Sequence, residues 1–120
     1  MSQSKIYPSK RVKNYASKKL RRIFDIRGRV VLKHAPSIFH TGDRCYGLCY
    51  SDSGKDNVPV HRIIISERAN KNPNAYFATL LHEYVHAWQF ENGYNLAHTR
   101  KSKFKAWAKY LKETQKGVEI

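Results

Sequence analysis

Residues 72–93 read NPNAYFATLLHEYVHAWQFENG, and this stretch decides the fold because it predicts one long, capped helix. Asn72 followed by Pro73 is typical of an N-cap and a first helical residue, and Gly93 is typical of the residue just past a helix end. Apolar residues recur at spacings of three and four, which predicts one buried stripe. They are Phe77, Leu80, Leu81, Tyr84, Val85 and Trp88. We therefore predict a helix from about Pro73 to Glu91.

The same helix contains His82-Glu83-Tyr84-Val85-His86, which matches the H-E-x-x-H pattern. Helical residues four apart lie one turn apart and differ by about 40° in azimuth, so both imidazoles can reach one zinc ion at about 2.0–2.1 Å. Glu83 lies beside the pair, where a carboxylate can accept a proton from a metal-activated water. The alternative is an ordinary amphipathic helix whose two histidines have core or surface partners.

A catalytic zinc site usually has three protein ligands, so a third must be found. One zincin subclass places Gly and His three and six residues after the second His, followed by a Met-turn. Here those positions hold Gln89 and Asn92, and no methionine follows them, which excludes that subclass. Two candidates remain. His98 follows the helix stop, where the chain can reverse over the metal, and it is the better candidate; Glu113 is an acidic alternative from a later helix.

The run HEYVHAW at residues 82–88, then His98, then Phe104 and Trp107, resembles the SprT-like metallopeptidase family, to which the Spartan DNA–protein crosslink proteases belong. That family's pattern is H-E-x-x-H, a variable spacer, and a third His usually followed by Gly and, a few residues on, by Phe. This chain has the three histidines and the Phe, and it departs from the pattern at Thr99. The resemblance implies that His98 is the third zinc ligand.

Segments 46–49 and 62–66 resemble the strands that precede the family's active-site helix, so the resemblance covers most of the chain. It implies an α+β fold: a small zincin-like domain with a three-stranded sheet packed on about three helices, one of them the HExxH active-site helix. A chain of 120 residues is one domain, 1–120, too short for a second core. Bacterial members often carry a C-terminal zinc ribbon, and with two cysteines in the chain we expect that module to be absent.

Periodicity and turn residues predict the remaining elements. They include a helix over about 9–24 closed by Arg27-Gly28, a strand that starts at 30–32, and strands at 46–50 and 60–66 with a polar turn over 51–59. A final helix is predicted over about 100–115, with Phe104, Trp107, Ala108 and Leu111 facing inward. In zincins generally the strand before the active-site helix lines the cleft. We therefore expect an extended protein substrate to add to the free edge of the strand 62–66, while Ile63 and Ile65 fill the core.

Charge is the second informative property: the formal net charge is +14. Residues 1–33 hold eleven Lys and Arg against one acid, and residues 98–117 hold seven against one. Such a surface predicts non-specific binding to DNA phosphates, and a merely soluble cationic surface is the alternative. The predicted contact residues are Lys18, Lys19, Arg21, Arg22, Lys101, Lys105, Lys109 and Lys112. Tyr7, Tyr15, Tyr46 and Tyr50 could offer stacking platforms if exposed.

The chain contains no signal-like apolar region and no apolar run approaching 18 residues, so we expect an intracellular monomer without membrane contact. Cys45 and Cys49 are interpreted as small apolar residues in a reducing compartment, with a redox or metal role as the alternative. The three histidines outside the motif are expected to be surface or packing residues; they are His34, His40 and His61.

Taken together, the sequence predicts a zinc-dependent endopeptidase of the SprT-like kind that is recruited to DNA and cleaves DNA-bound or crosslinked proteins. In this mechanism zinc lies on His82, His86 and His98, and Glu83 acts as general base and then as acid. Two alternatives remain open. One is a nucleic-acid-binding module with a structural zinc site, and the other is a zinc hydrolase that acts on a non-peptide bond.

Overall fold

The structure is a computed structural model that describes residues 18–120 and contains three helices and a small mixed sheet. In chain order the elements are a helix whose described part is 18–24 (α1), Arg29–Ala35 (β1), Phe39–His40 (β2), Asp43–Arg44 (β3), Gly47–Ser53 (β4), the 3-10 turn Lys55–Asn57, Pro59–Ser66 (β5), Pro73–Glu91 (α2) and Phe104–Thr114 (α3). The predicted α+β architecture is confirmed. Within residues 18–120, no helix combines the length and the apolar character that crossing a membrane requires.

The sheet has the strand order β1-β5-β4, with β5 parallel to β1 and antiparallel to β4. Ile63 of β5 lies opposite Leu32 on one side and Cys49 on the other. Ile63 and Ile65 are fully buried, as predicted for core positions. The expected free edge at 62–66 is wrong, however, because β5 is the central strand and both its edges are paired. The edge strands are β1 and β4, and the outer edge of each pairs with no other described strand.

Helix α2 has the predicted bounds, and both of its predicted caps form. The Asn72 side-chain oxygen accepts a hydrogen bond from the Ala75 amide at 2.8 Å, with Pro73 in the first turn. At the other end Gly93 has φ 77°, and the Tyr94 amide donates to the Gln89 carbonyl at 2.9 Å, which is a Schellman-type ending. These caps fix where the helix begins and ends. The residues of α2 that join the hydrophobic core are Tyr76, Leu80, Leu81, Tyr84, Val85 and Ala87.

Helix α1 ends at residue 24, as predicted, but Asp25 and not Arg27-Gly28 forms its stop. Asp25 takes a left-handed φ of 50°, and the Ile26 amide donates to the Arg21 carbonyl at 3.0 Å. The predicted helix residues 9–17 lie outside the described residues. The polar turn is shorter than 51–59, because β4 runs on to Ser53.

Helix α3 begins at Phe104 instead of residue 100, because Lys103 has a left-handed φ of 69° that the helix cannot continue through. Of the residues predicted to face inward, Phe104 and Leu111 are buried, whereas Trp107 and Ala108 are half-buried. The sequence-based prediction also missed the small antiparallel hairpin of β2 and β3.

A buried carboxylate fastens the last turn of α2 to the sheet. The Glu91 side chain is 1% exposed, accepts hydrogen bonds from the amides of Arg27 and Gly28 at 2.8 Å, and lies 2.6 Å from His61 Nε2. His61 Nδ1 is in turn 2.7 Å from the Ser51 hydroxyl on β4. Burial alone raises the pKa of Glu91, but the hydrogen bonds from Arg27, His61 and Gly28 outweigh it and lower the pKa below its ordinary value. The helix that carries the H-E-x-x-H motif is thus held in position at its C-terminal end.

Candidate metal centre

Three imidazole nitrogens converge on one point at the surface of α2. The Nε2 atom of His86 lies 3.3 Å from Nε2 of His82 and 3.1 Å from Nε2 of His98, and the three potential ligand atoms lie within 4.8 Å of one another. Two nitrogens bound tetrahedrally to one zinc at about 2.0–2.1 Å are separated by roughly 3.3 Å. The donor set and its spacing therefore fit one metal ion.

Phe104 at the start of α3 supports all three rings. Its ring centroid lies 4.9 Å from that of His82, 5.5 Å from that of His86 and 4.6 Å from that of His98. Because Phe104 is buried, this contact restricts the imidazoles from the side of the core. The structure brings His98, and not Glu113, to the pair on α2; Glu113 is an exposed residue of α3.

Gln89 is the residue that the sequence analysis missed. Its Oε1 accepts from His86 Nδ1 at 2.7 Å, while its Nε2 donates to the carbonyls of Ala97 at 2.9 Å and Ser102 at 3.1 Å. One fully buried amide thus orients the His86 ring and holds the loop that carries His98. A proton on Nδ1 of His86 leaves the Nε2 lone pair for a metal. The signal was available in the sequence, since a residue three positions after His86 lies on the same face of the helix.

Thr99, the departure from the family pattern, is part of the turn that shapes this loop. The Ser102 hydroxyl donates to the Ala97 carbonyl at 2.6 Å and accepts from the Thr99 amide at 3.1 Å. The Thr99 hydroxyl accepts from the Ser102 amide at 3.2 Å. Thr99 is not among the described residues with positive φ, so the backbone at this position does not demand glycine.

Glu83 lies beside the imidazoles at the wall of a cleft of about 360 Å³, which is also lined by Gly47 and Thr79. Its side chain is almost fully buried, and burial raises its pKa to about 8. Gly47, the first residue of β4, allows the strand to approach: a Cβ at this position would lie 3.1 Å from Glu83 Oε2 and 2.9 Å from Thr79 Cγ2. Glu119 and Ile120 also line this cleft.

The environment of His82 and His86 favours the form that binds metals. Burial, together with the neighbouring His86 and His98, lowers the pKa of His82 to about 4. Burial also lowers the pKa of His86 below its ordinary value. A lowered pKa favours the neutral imidazole, which is the form that donates a lone pair.

The predicted nucleic-acid contacts are distributed over two regions. On and before α3, four lysines are exposed: Lys101, Lys105, Lys109 and Lys112. Lys112 makes an exposed ion pair with Glu119 at 3.4 Å, of a kind that contributes little to stability. On α1, Lys18, Lys19 and Arg22 are exposed. Arg21 is half-buried, and its guanidinium donates to the Gly28 carbonyl, so part of its hydrogen-bonding capacity is used within the fold.

The remaining histidines and cysteines lie apart from the three imidazoles. His61 is buried in the Glu91 network, His34 Nε2 lies 2.9 Å from the Tyr76 hydroxyl, and His40 is exposed. Both cysteines are free thiols. Burial raises the pKa of Cys49 to about 12, which makes its thiol a poor nucleophile at neutral pH.

Three convergent imidazoles that could hold one metal ion thus lie beside a buried carboxylate on an α+β domain. The family model described as the SprT-like family matches residues 8–120. The chain therefore belongs to the SprT-like family, whose members are metallopeptidase-like domains. Comparisons with curated proteins and with solved structures found no match.

Proposed function

We propose that this protein is a zinc-dependent endopeptidase that is recruited to DNA and cleaves DNA-bound or crosslinked proteins. The observation that supports this best is the convergence of His82, His86 and His98 next to Glu83 at the wall of an open cleft. Catalytic zinc sites commonly have three protein ligands and a free position, whereas structural sites are closed by four. Residues 18–120 bring three donors together at this point, which favours a catalytic centre over a structural one.

The chemistry is divided between the ion and the protein. When bound, zinc supplies Lewis-acid polarisation of a carbonyl and a lowered pKa for water. His82, His86 and His98 would hold the ion, and the amide of Gln89 keeps His86 in the tautomer and orientation that binding requires. Glu83 receives a proton at its carboxylate from the water that attacks the scissile carbonyl, and it transfers that proton to the leaving amide nitrogen.

The environment of Glu83 suits this proton transfer. Burial raises the pKa of its carboxyl group to about 8, and a zinc ion held by the neighbouring histidines would favour the ionised form. A carboxylate whose pKa is tuned toward neutrality can both accept and release a proton near pH 7. Because the group is almost fully buried, its proton exchanges through the cleft and not through the opposite surface.

The edge of β4 supports a substrate in extended form. Among the described strands none pairs with the outer edge of β4, and its first residue, Gly47, is a near neighbour of Glu83. An extended polypeptide that adds to this edge gains main-chain hydrogen bonds without a requirement for particular side chains. Such a binding mode would suit an enzyme that cleaves many different proteins.

Recruitment to DNA is supported by charge alone. The net charge is +14, and the lysines on and before α3 are exposed. When many lysines and arginines bind phosphates, they release the counterions condensed on DNA. This contribution to affinity depends little on base sequence. Location on DNA would then raise the local concentration of DNA-bound protein substrates at the cleft.

The test is cleavage of a DNA-crosslinked protein and of an unstructured protein by the zinc-loaded wild type and by Glu83→Gln. We expect Glu83→Gln to retain zinc and DNA affinity but to lose at least about 100-fold in cleavage rate, because a general base contributes about 10²–10⁴-fold. The matched control is Glu113→Gln, which makes the same change at an exposed glutamate and should cleave normally. Proteolysis that persists in Glu83→Gln at wild-type rates would refute the proposal.

A further inference from the structure

A second cleft, of about 440 Å³, lies between α1, α2 and α3 and shares no lining residue with the cleft at the metal centre. Its walls are largely aromatic: Trp88 from α2, Tyr94 from the loop after α2, and Trp107 and Tyr110 from α3. Lys103 is the charged residue of its lining. The predicted metal chemistry makes no use of this cleft.

The aromatic rings are arranged so that some are packed and others face solvent. Tyr94 stacks on Trp88 with 5.3 Å between centroids and 11° between planes, and Trp107 meets Trp88 and Tyr110 edge-on at 5.5 and 5.7 Å. Tyr94 remains 36% exposed and Tyr110 51% exposed. Trp88 and Trp107 thus form the inner part of the lining, and the partly exposed Tyr94 and Tyr110 form its outer part. An aromatic cleft of this kind on a soluble domain is a candidate binding site.

We propose that this aromatic cleft binds an unpaired nucleobase of single-stranded DNA. Every base has a π-face that stacks on a tyrosine or tryptophan, and proteins that bind single strands combine such rings with cations along the backbone path. Among residues 18–120, Lys103 lines the cleft and no acidic residue does. Lys109 is exposed on the same helix as Trp107 and Tyr110. The cleft therefore offers aromatic stacking surfaces for a base together with a cation for the adjoining phosphate.

The proposal rests on the proposed recruitment to DNA but not on the proposed peptidase activity. The aromatic cleft and the exposed lysines of α3 recognise different parts of the DNA. The lysines of α3 attract any phosphate backbone, whereas the aromatic cleft requires a base that is free of its partner strand. The expected substrate is thus a protein on DNA that contains single-stranded regions.

The experiment uses the full chain, a short oligothymidine, and an abasic oligonucleotide of equal length and charge. Tyr110→Ala should weaken oligothymidine binding by about 5- to 150-fold, since stacking on one base is worth about 1–3 kcal/mol. Binding of the abasic oligonucleotide should not change, because its phosphates are the same. Tyr110→Phe retains the ring and should bind like the wild type. The matched control is Phe39→Ala, because Phe39 is an aromatic residue of β2 that is also exposed and does not line the cleft.

Intrinsic fluorescence provides a direct readout of the cleft. The chain contains two tryptophans, and both Trp88 and Trp107 line it. Oligothymidine should therefore quench the tryptophan emission of the wild type, and the abasic oligonucleotide should not. Cleavage of an unstructured protein without DNA, measured alongside, should be equal in Tyr110→Ala and wild type, so failure of the peptidase proposal and failure of this one give different patterns.

Four results would overturn the assignment. The first is equal affinity of the wild type for oligothymidine and for the abasic oligonucleotide. The second is an equal loss of affinity in Tyr110→Ala and Phe39→Ala. The third is tighter binding of a matched oligouridine, which would assign the cleft to RNA. The fourth is quenching by the unstructured protein but not by oligothymidine, which would assign the cleft to polypeptide.

Discussion

Replacing Gln89 by Ala tests how the metal centre is assembled. The substitution removes the acceptor of His86 Nδ1 and the donors to the Ala97 and Ser102 carbonyls, all at 2.7–3.1 Å. Each hydrogen bond contributes about 1 kcal/mol, and a buried group left without a partner costs about 1–3 kcal/mol. The Ala97 carbonyl keeps the Ser102 hydroxyl as a donor. We therefore expect the metal-free protein to lose about 2–4 kcal/mol of unfolding free energy.

The effect on metal affinity is expected to be separate from the effect on stability. Loss of a hydrogen-bond partner behind a ligating histidine typically weakens metal binding about 10- to 100-fold. Gln89→Glu keeps an acceptor for His86 Nδ1 but loses both donors to the loop, so it should bind metal more tightly than Gln89→Ala while remaining destabilised. Asn74→Ala, an exposed change on the same helix, is the control.

The assay is urea unfolding of the metal-free variants, combined with competition against a chromophoric zinc chelator. If Gln89→Ala bound zinc within about twofold of the wild type, the positioning role assigned to this amide would be wrong. An equal loss of metal affinity in Asn74→Ala and Gln89→Ala would also contradict this positioning role. The loss would then follow from general destabilisation of α2.

Three further predictions concern the sheet, the cleft and the charged surface. Glu91→Gln should cost about 2–3 kcal/mol of unfolding free energy at pH 7, since hydrogen bonds to a buried charged group are lost. The pKa of Glu91 is lowered in the folded protein, so the stability that its charge contributes is present above the unfolded carboxyl pKa of about 4.3. In urea unfolding at decreasing pH, the cost of the substitution should therefore shrink as the pH falls through the folded pKa. Gly47→Ala should slow cleavage roughly 10- to 100-fold with only about 1–3 kcal/mol of destabilisation, because the added Cβ would lie 3.1 Å from the Glu83 carboxylate. Unchanged cleavage kinetics would contradict the close approach of β4 to Glu83. Replacing Lys105 and Lys109 by Gln should reduce the slope of log affinity against log salt by about 0.7–0.9 for each phosphate that these lysines neutralise, and a salt-independent wild type would contradict recruitment by charge.

Much of α2 could be predicted because its signals are local. Asn72, Pro73 and Gly93 mark the two ends in sequence, and the caps form where these residues stand. The H-E-x-x-H spacing places His82 and His86 on one face by helix geometry alone, and the structure brings their Nε2 atoms to 3.3 Å. A pattern of this kind needs no information about the rest of the chain.

The parts that were missed depend on contacts between distant segments. Which strand is central cannot be derived from the alternation of Ile63 and Ile65, since an edge strand and a central strand can bury the same residues. The late start of α3 depends on Lys103, a residue with no helix-breaking character of its own, which is left-handed at the end of the Thr99 and Ser102 turn. Such features arise from packing and not from local propensity.

Gln89 illustrates a different limit. In the sequence it served only to exclude a zincin subclass, because it stands where that subclass has glycine. In the structure it bridges His86 and the loop before α3, over a sequence separation of up to 13 residues. Helical spacing could have predicted its contact with His86, but its hydrogen bonds to the Ala97 and Ser102 carbonyls depend on the tertiary structure.

The central claim is that three imidazoles, His82, His86 and His98, form the metal centre. Equilibrium zinc binding by the wild type, His98→Ala and Glu113→Gln tests it most directly. We expect one zinc per chain in the wild type, the same affinity in Glu113→Gln, and an affinity at least about 100-fold weaker in His98→Ala, because one of three ligands is lost. Full zinc affinity in His98→Ala, together with a loss in Glu113→Gln, would contradict this geometry and move the third ligand to α3.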